Sequence, residues 1–438
     1  MIRMAVKQGL VMRSTISGII LLSLISRGRT QDLPLTSDRV NRAVFAFSDA
    51  IEAGAEKNLS RAATLVSEAR LLDPTRLEII YLADLAGDYQ KGRIGKTCAT
   101  VVYSGFMALY TTHPEKRKPE EIQNNMVNRS CPGEDLIHAR FLAVSGRREE
   151  ARSGYDAIIA SDSENLLARF WKAELLRSGS SSDEALRELK VCAARIPENY
   201  QIYGMMAGIF LDNKNYPEAV RFYEKAMATY PDYALLLQPN VEICAAYNGR
   251  GKESLERNDL IAALSDFSAA IHLNPVFGEF YLNRGITYRR MGDVEAAISN
   301  FDRAVIYDSR YQDAYYNRGL LFEQIGYYAQ ALRDFKRVLN VDRSHAGARY
   351  HIGLILMKQK EYAEAVAVFD SLIAYHPDHY LAVYSMACAQ DELQHYRLAA
   401  AAYEEFFDMA PDSLYEQKLK AWERAHTIRK VLHEKYGE

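Results

Sequence analysis

The stretch YLNRGITYRRMGDVEAAISNFDRAV runs from Tyr281 to Val305, and YYNRGLLFEQIGYYAQALRDFKRV begins 34 residues later at Tyr315. Position by position the two share small, aromatic and apolar residues. Stepping by 34 from Ala297 gives Ala331, Ala365 and Ala399 forward and Ala263 backward; past a ten-residue insertion the ladder resumes at Ala219, Ala185 and Ala151. A second row is small throughout: Ala139, Ala173, Ala207, Gly251, Gly285, Gly319, Gly353 and Ala387. A third is large: Tyr155, Leu189, Tyr223, Phe267, Phe301, Phe335, Phe369 and Tyr403.

Helix packing explains the spelling. The two small rows lie 12 apart, with Gly292 and Asp293 between them in the quoted unit. Glycine ends a helix well and Asp caps the next one. Gly146 and Gly326 share the position of Gly292; Ser181, Asn215 and Asp259 share that of Asp293. Each unit therefore reads as helix, tight turn, helix, with small side chains where paired helices approach closely. The large row, four residues after the Ala on the same helix face, is expected to fill the gap to the neighbouring unit. Pro197, Pro231, Pro275, Pro377 and Pro411 close the second helices.

On these rows the chain resembles the tetratricopeptide repeat family, whose unit is 34 residues. The resemblance covers units starting at Cys131–Pro132, Leu166, Tyr200, Cys244, Gly278, Gln312, Ala346 and Tyr380, with a divergent unit over 43–76 carrying Ala50, Ala62, Ala69 and Pro74 in register. It implies an all-α, right-handed superhelical solenoid of antiparallel helix pairs. The domain plan is then a signal peptide over 1–28, a linker over 29–42, the divergent repeat, an atypical helical segment over 77–131, and eight repeats over 132–413. An insertion occupies 234–243 and a capping helix 414–438. Arg169 and Arg349 depart from the apolar pattern with Phe170 and Tyr350 beside them, and Gln390 and Ser254 break another apolar row.

Outside the array, 76–89 and 94–114 read as helices, and PEKRKPEE as a charged loop. Cys98 and Cys131 bracket this segment; in an exported protein a disulfide between them would tie it to the first strong repeat, and the plainer reading is two free thiols. Pro239 in the insertion is expected to bar a smooth helix, and the three leucines 235–237 need packing or a partner.

At the start, Arg3, Lys7 and Arg13 precede the apolar run Ile16–Ile25, followed by SRGRTQ. A basic region, a short apolar run and small residues suit a secretory signal, too short for a membrane span. The expectation is export to a periplasmic or envelope compartment, with a cytoplasmic protein as the alternative.

The sequence contains 48% hydrophobic and 25% charged residues, with a formal net charge of −3, as in a globular chain without the basic footprint of a nucleic-acid binder. The five cysteines form no C-x-x-C pair, which speaks against a structural zinc site. GRIGKT ends like a phosphate-binding loop but has Gln90 where its first glycine belongs. The two histidines of HPDH, His376 and His379, fall at a turn between units and are expected to be solvated rather than metal ligands. No catalytic motif, metal or cofactor is read from the chain.

In the family the first helices line the concave face. One row there holds Asn248, Leu282, Tyr316, Tyr350 and Tyr384; the next holds Asn283, Asn317 and His351. These eight are the candidate peptide-binding residues: tyrosine offers area at low entropy cost, and Asn pairs with peptide backbone. The family's carboxylate clamp is incomplete, because Leu282 and Ile286 stand where its polar residues belong. The expected function is a non-enzymatic scaffold binding a protein or peptide on residues 244–413. The alternative is a carrier of a small apolar ligand in the superhelix lumen.

Overall fold

The computed structural model describes residues 38–56, 58–72, 76–94, 96–111, 133–177, 181–230, 233, 237–308 and 311–436. Readings that fall on residues 1–37, on 112–132 or on the leucines at 235 and 236 lie outside them. Among the described residues there is no strand. The chain divides into two compact units, 1–250 and 251–438.

The first unit holds α1 (Asp38–Ala55), α2 (Leu59–Leu72), α3 (Leu77–Gln90), α4 (Lys96–Thr111), α5 (Glu134–Val144), α6 (Arg148–Ser161), α7 (Leu166–Arg177), α8 (Ser182–Arg195), α9 (Tyr200–Asp212) and α10 (Tyr216–Thr229). The unit boundary falls within α11 (Leu237–Glu256). Pro239 does not bar this helix. It sits at the third residue, where the missing N–H has no intrahelical acceptor to lose. The atypical segment joins the repeats through named contacts. Gln201 accepts from the Leu77 backbone N–H at 2.9 Å and donates to Glu78 at 3.2 Å, satisfying a free donor at the start of α3. Phe106 on α4 meets Trp171 on α7, centroids 5.9 Å apart.

The second unit holds α12 (Leu260–Leu273), α13 (Gly278–Met291), α14 (Val294–Tyr307), α15 (Gln312–Gln324), α16 (Tyr328–Val341), α17 (Ala346–Lys358), α18 (Tyr362–Tyr375), α19 (Tyr380–Glu392) and α20 (Tyr396–Met409). A short 3₁₀ turn, Asp412–Leu414, and α21 (Tyr415–Tyr436) follow. Helices pair in sequence, α13 with α14, α15 with α16, α17 with α18, α19 with α20, and α21 covers α20. Ala421, Ala425, Ile428 and Leu432 are its buried face. This is the all-α class of stacked helix pairs.

The small and large rows are buried as read. The large row has partners within its own unit as well as in the next. A Cβ added at Gly285 would lie 2.7 Å from the Phe301 ring, and one at Gly353 would lie 2.4 Å from Phe369. Phe301 and Phe369 thus lie over the glycine of their own hairpins, and Phe335 also stacks on His351 of the next unit, centroids 5.5 Å apart, so the row meets both the crossing and the gap.

The turn between paired helices repeats one backbone state. Gly146, Gly292 and Gly326 have φ of 85°, 82° and 81°; Lys214, Asn258, Lys360 and Gln394 occupy the same frame position at 57°, 60°, 64° and 61°. Asp259 and Asp293 then cap the following helices, accepting from Ala262 and Ala296 N–H at 3.1 and 3.0 Å.

The irregular residues find polar partners. Arg169 pairs with Glu188 at 2.5 Å, and Arg349 reaches Ser371 at 2.7 Å with its guanidinium over Tyr375. Gln390 is buried and bonds His395 at 2.8 Å. Cys98 is disulfide-bonded, so the free-thiol reading fails there; Cys131 lies outside the described residues. Cys192 and Cys244 are buried thiols outside any disulfide, and burial pushes both up to about 12.

Candidate functional site

The helical repeat period puts Leu282, Tyr316, Tyr350 and Tyr384 at equivalent places on α13, α15, α17 and α19. Asn248 lies on α11 within the first unit and is buried. The other seven candidates belong to the second unit. Of these, Leu282 and Asn283 are buried, whereas Tyr316, Asn317, Tyr350, His351 and Tyr384 are half-buried.

The tyrosines rest on two supports. Tyr316 lies 5.9 Å from Phe335 of its own unit and 4.9 Å from His345 of the next, by ring centroids. Tyr350 repeats this with Phe369 at 6.0 Å and His379 at 5.2 Å. Tyr384 leans on Phe406 at 4.8 Å and Tyr403 at 5.9 Å. Part of each ring is therefore packing. The Tyr350 hydroxyl meets Ser385 at 3.4 Å.

His345 and His379 have a second task. Each is the N-cap of the next first helix, its Nδ1 accepting from the N–H of Ala348 at 3.0 Å or of Ala382 at 3.1 Å. The HPDH histidines are thereby placed: His379 caps α19, and His376 Nε2 lies 2.6 Å from the Ser344 carbonyl.

The row beside the tyrosines is polar. Asn317 spends its amide N–H on the Asp313 carbonyl of its own helix, at 2.8 Å. His351 Nδ1 meets Glu323 at 2.7 Å, and Lys358 donates to the same carboxylate at 2.8 Å. Burial raises the Glu323 pKa, but the bonds from His351 and Lys358 outweigh it and hold the carboxyl below the usual range. Glu323 was not singled out from sequence. The signal was present, because it lies seven residues after Tyr316 and so on the same helix face.

Behind this face a second polar row binds the units. Arg318 grips Asp334 through two bonds of 2.7 Å and reaches Asp302 of the preceding unit at 2.5 Å. Arg284 takes Asn300 at 2.8 Å and Ser268 at 3.2 Å in the same way. At the equivalent position in the first unit, Lys172 meets Asp156, Glu184 and Glu188 at 2.7, 3.0 and 3.0 Å. Ile352 and Met386 hold this place in later repeats.

A hollow of about 460 Å³ in the first unit is lined by Ser181, Ser182, Asp183, Glu184, Arg187 and Asn213. Its wall is polar. Among the described residues no helix is long and apolar enough to cross a membrane.

The tetratricopeptide repeat family profile matches residues 248–308, 282–332 and 316–380. No curated protein matches the sequence. Solved structures with a detectable likeness include YrrB, described as a TPR protein with an unusual peptide-binding site. It is 22% identical, covers 45% of this chain and 96% of its own, and has a TM-score of 0.38. A tetratricopeptide repeat protein from Parabacteroides merdae is 23% identical over 54% of this chain and 92% of its own, TM-score 0.40. PilF of Pseudomonas aeruginosa is 16% identical over 46% and 95%, TM-score 0.37. With the repeated helix pairs, the shared turn and three overlapping matches to the family, residues 248–380 are tetratricopeptide repeats, in general terms an interaction scaffold.

Proposed function

We propose that the second unit binds a peptide or protein segment on the first-helix face that carries Tyr316, Asn317, Tyr350, His351 and Tyr384. The observation behind this is the half-buried tyrosine row, each ring fixed from behind by an aromatic and, for two of the three, a capping histidine. Rings fixed by packing yet still partly exposed offer contact area without a further loss of rotamer freedom on binding. The chain's near-neutral balance favours a protein partner over nucleic acid. The role is non-enzymatic.

The test is capture of partners by the intact chain and by Tyr350→Ala, both kept at a temperature where circular dichroism shows them folded. The substitution should cost about 1–3 kcal/mol of stability from lost packing and should release the captured partner. Undiminished capture by a folded Tyr350→Ala protein would remove the tyrosine row from the site.

The same reading places the protein in an oxidising envelope compartment. Its supports are the basic-then-apolar start of the chain and the disulfide at Cys98, since such bonds persist outside the reducing cytosol.

A further inference from the structure

We infer that the partner segment carries a side-chain carboxylate, held by the Arg289 guanidinium and the Tyr316 hydroxyl. This rests on the peptide-binding reading above and adds the chemistry of the segment.

Arg289 lies in the last turn of α13, seven residues after Leu282, on the face of the tyrosine row. The 34-residue frame puts it at the place of Glu323 and Asp391 in later repeats. Those two acids are neutralised within the fold. Glu323 meets His351 and Lys358; Asp391 takes two bonds from Arg424, at 2.7 and 2.9 Å. Stepping back one unit from His351 and Lys358 gives Asn317 and Gln324, two uncharged amides. Where Glu323 finds cations, the frame offers Arg289 no anion.

The contacts agree. Arg289 is half-buried, yet it forms no hydrogen bond or ion pair with any described residue. Its neighbour Arg290, which donates to the Leu255 carbonyl at 2.8 Å, adds a like charge. Burial first, and Arg290 second, lower the Arg289 pKa. A guanidinium stays protonated in a protein, so the group bears an unrelieved charge in a partly dry place.

Tyr316 supplies the second donor. Burial raises its phenol's pKa, the Arg289 charge opposes that and Glu323, itself neutralised by His351 and Lys358, adds to it; its hydroxyl bonds to no described residue. Phe335 and His345 fix the ring, and Gly347 leaves the hydroxyl its space: a Cβ there would lie 2.6 Å from it. Guanidinium and phenol together suit one carboxylate, through charge-assisted bonds. A side-chain carboxylate is assigned rather than a chain terminus, since Leu282 and Ile286 beside Arg289 on α13 are apolar and add no further donor.

The test is selection of random peptides displayed without a free C-terminus, on the intact protein. The best binder is then synthesised, C-terminally amidated, in Glu and Gln forms. Wild type should enrich Asp or Glu at one position and bind the Glu form about tenfold more tightly than the Gln form, roughly 1.4 kcal/mol. Arg289→Gln should lose that preference while its melting temperature holds or rises, since an unpaired charge has gone. Peptides captured through the tyrosines with no acidic preference would overturn the carboxylate assignment and leave the peptide site standing. A fall in melting temperature on Arg289→Gln would make the residue structural and overturn it too. Binding that needs a free terminal carboxylate would reject the side-chain assignment. Failure to select any peptide sensitive to Tyr350→Ala would sink the peptide site and this inference together.

Discussion

Glu323 shows how one side chain links two repeats. Its carboxylate sits on α15 and both partners sit on α17. Since its pKa is lowered in the folded chain, the stabilisation is complete above the ordinary carboxylate range. It is lost as pH falls through the depressed folded value. Glu323→Gln should therefore cost about 2 kcal/mol at neutral pH. The gap in melting temperature from wild type should close as the solution is acidified. A gap that persists in acid would mean that the charge is not what links the repeats.

At the scale of the helix pair, two features govern stability. The first is the turn. Lys360 occupies a left-handed conformation that Gly292 and Gly326 adopt freely. Lys360→Gly should stabilise the protein by about 0.5–1 kcal/mol, relief of backbone strain exceeding the added entropy of the unfolded chain. Chemical denaturation would read this, and a loss of stability would show that the lysine makes compensating contacts. The second feature is the Arg318–Asp334 pair. Asp334 is almost fully buried, so Arg318→Met alone should cost about 3–5 kcal/mol by stranding the carboxylate. The double change Arg318→Met with Asp334→Val imitates Ile352 and Val368 two helices later, and should recover most of that loss. If it does not, the triad with Asp302 holds the units together more strongly than apolar packing does.

Across the whole chain, the cysteines give a test of compartment that does not depend on any partner. Under denaturing conditions without reductant, Cys192, Cys244 and Cys388 should take up an alkylating reagent, and Cys98 should do so only after reduction. Labelling of Cys98 without reductant in protein isolated from its native compartment would argue against an oxidising location. The repeats were legible in the sequence because close helix crossings admit few side chains, so Ala297 and Gly285 recur at a fixed interval. Capping was legible where Asp259 and Asp293 perform it, and hidden where His345 and His379 do, because histidine is not an expected cap. Spacing tells which face a residue shares, not which neighbour it meets. That is why the contact of Phe301 with Gly285 of its own hairpin was not legible, nor which rings the tyrosines pack on.

The replacement of Arg284 and Arg318 by Ile352 and Met386 along one row has a mechanical consequence. Repeats bonded mainly to their nearest neighbours can come apart piecemeal. On this row the seams near Arg318 are secured by ions and those near Ile352 by oil, with Glu323 the separate ionic tie into that repeat. Chilling, which weakens apolar burial, should therefore trouble the later hairpins of this unit before the earlier ones.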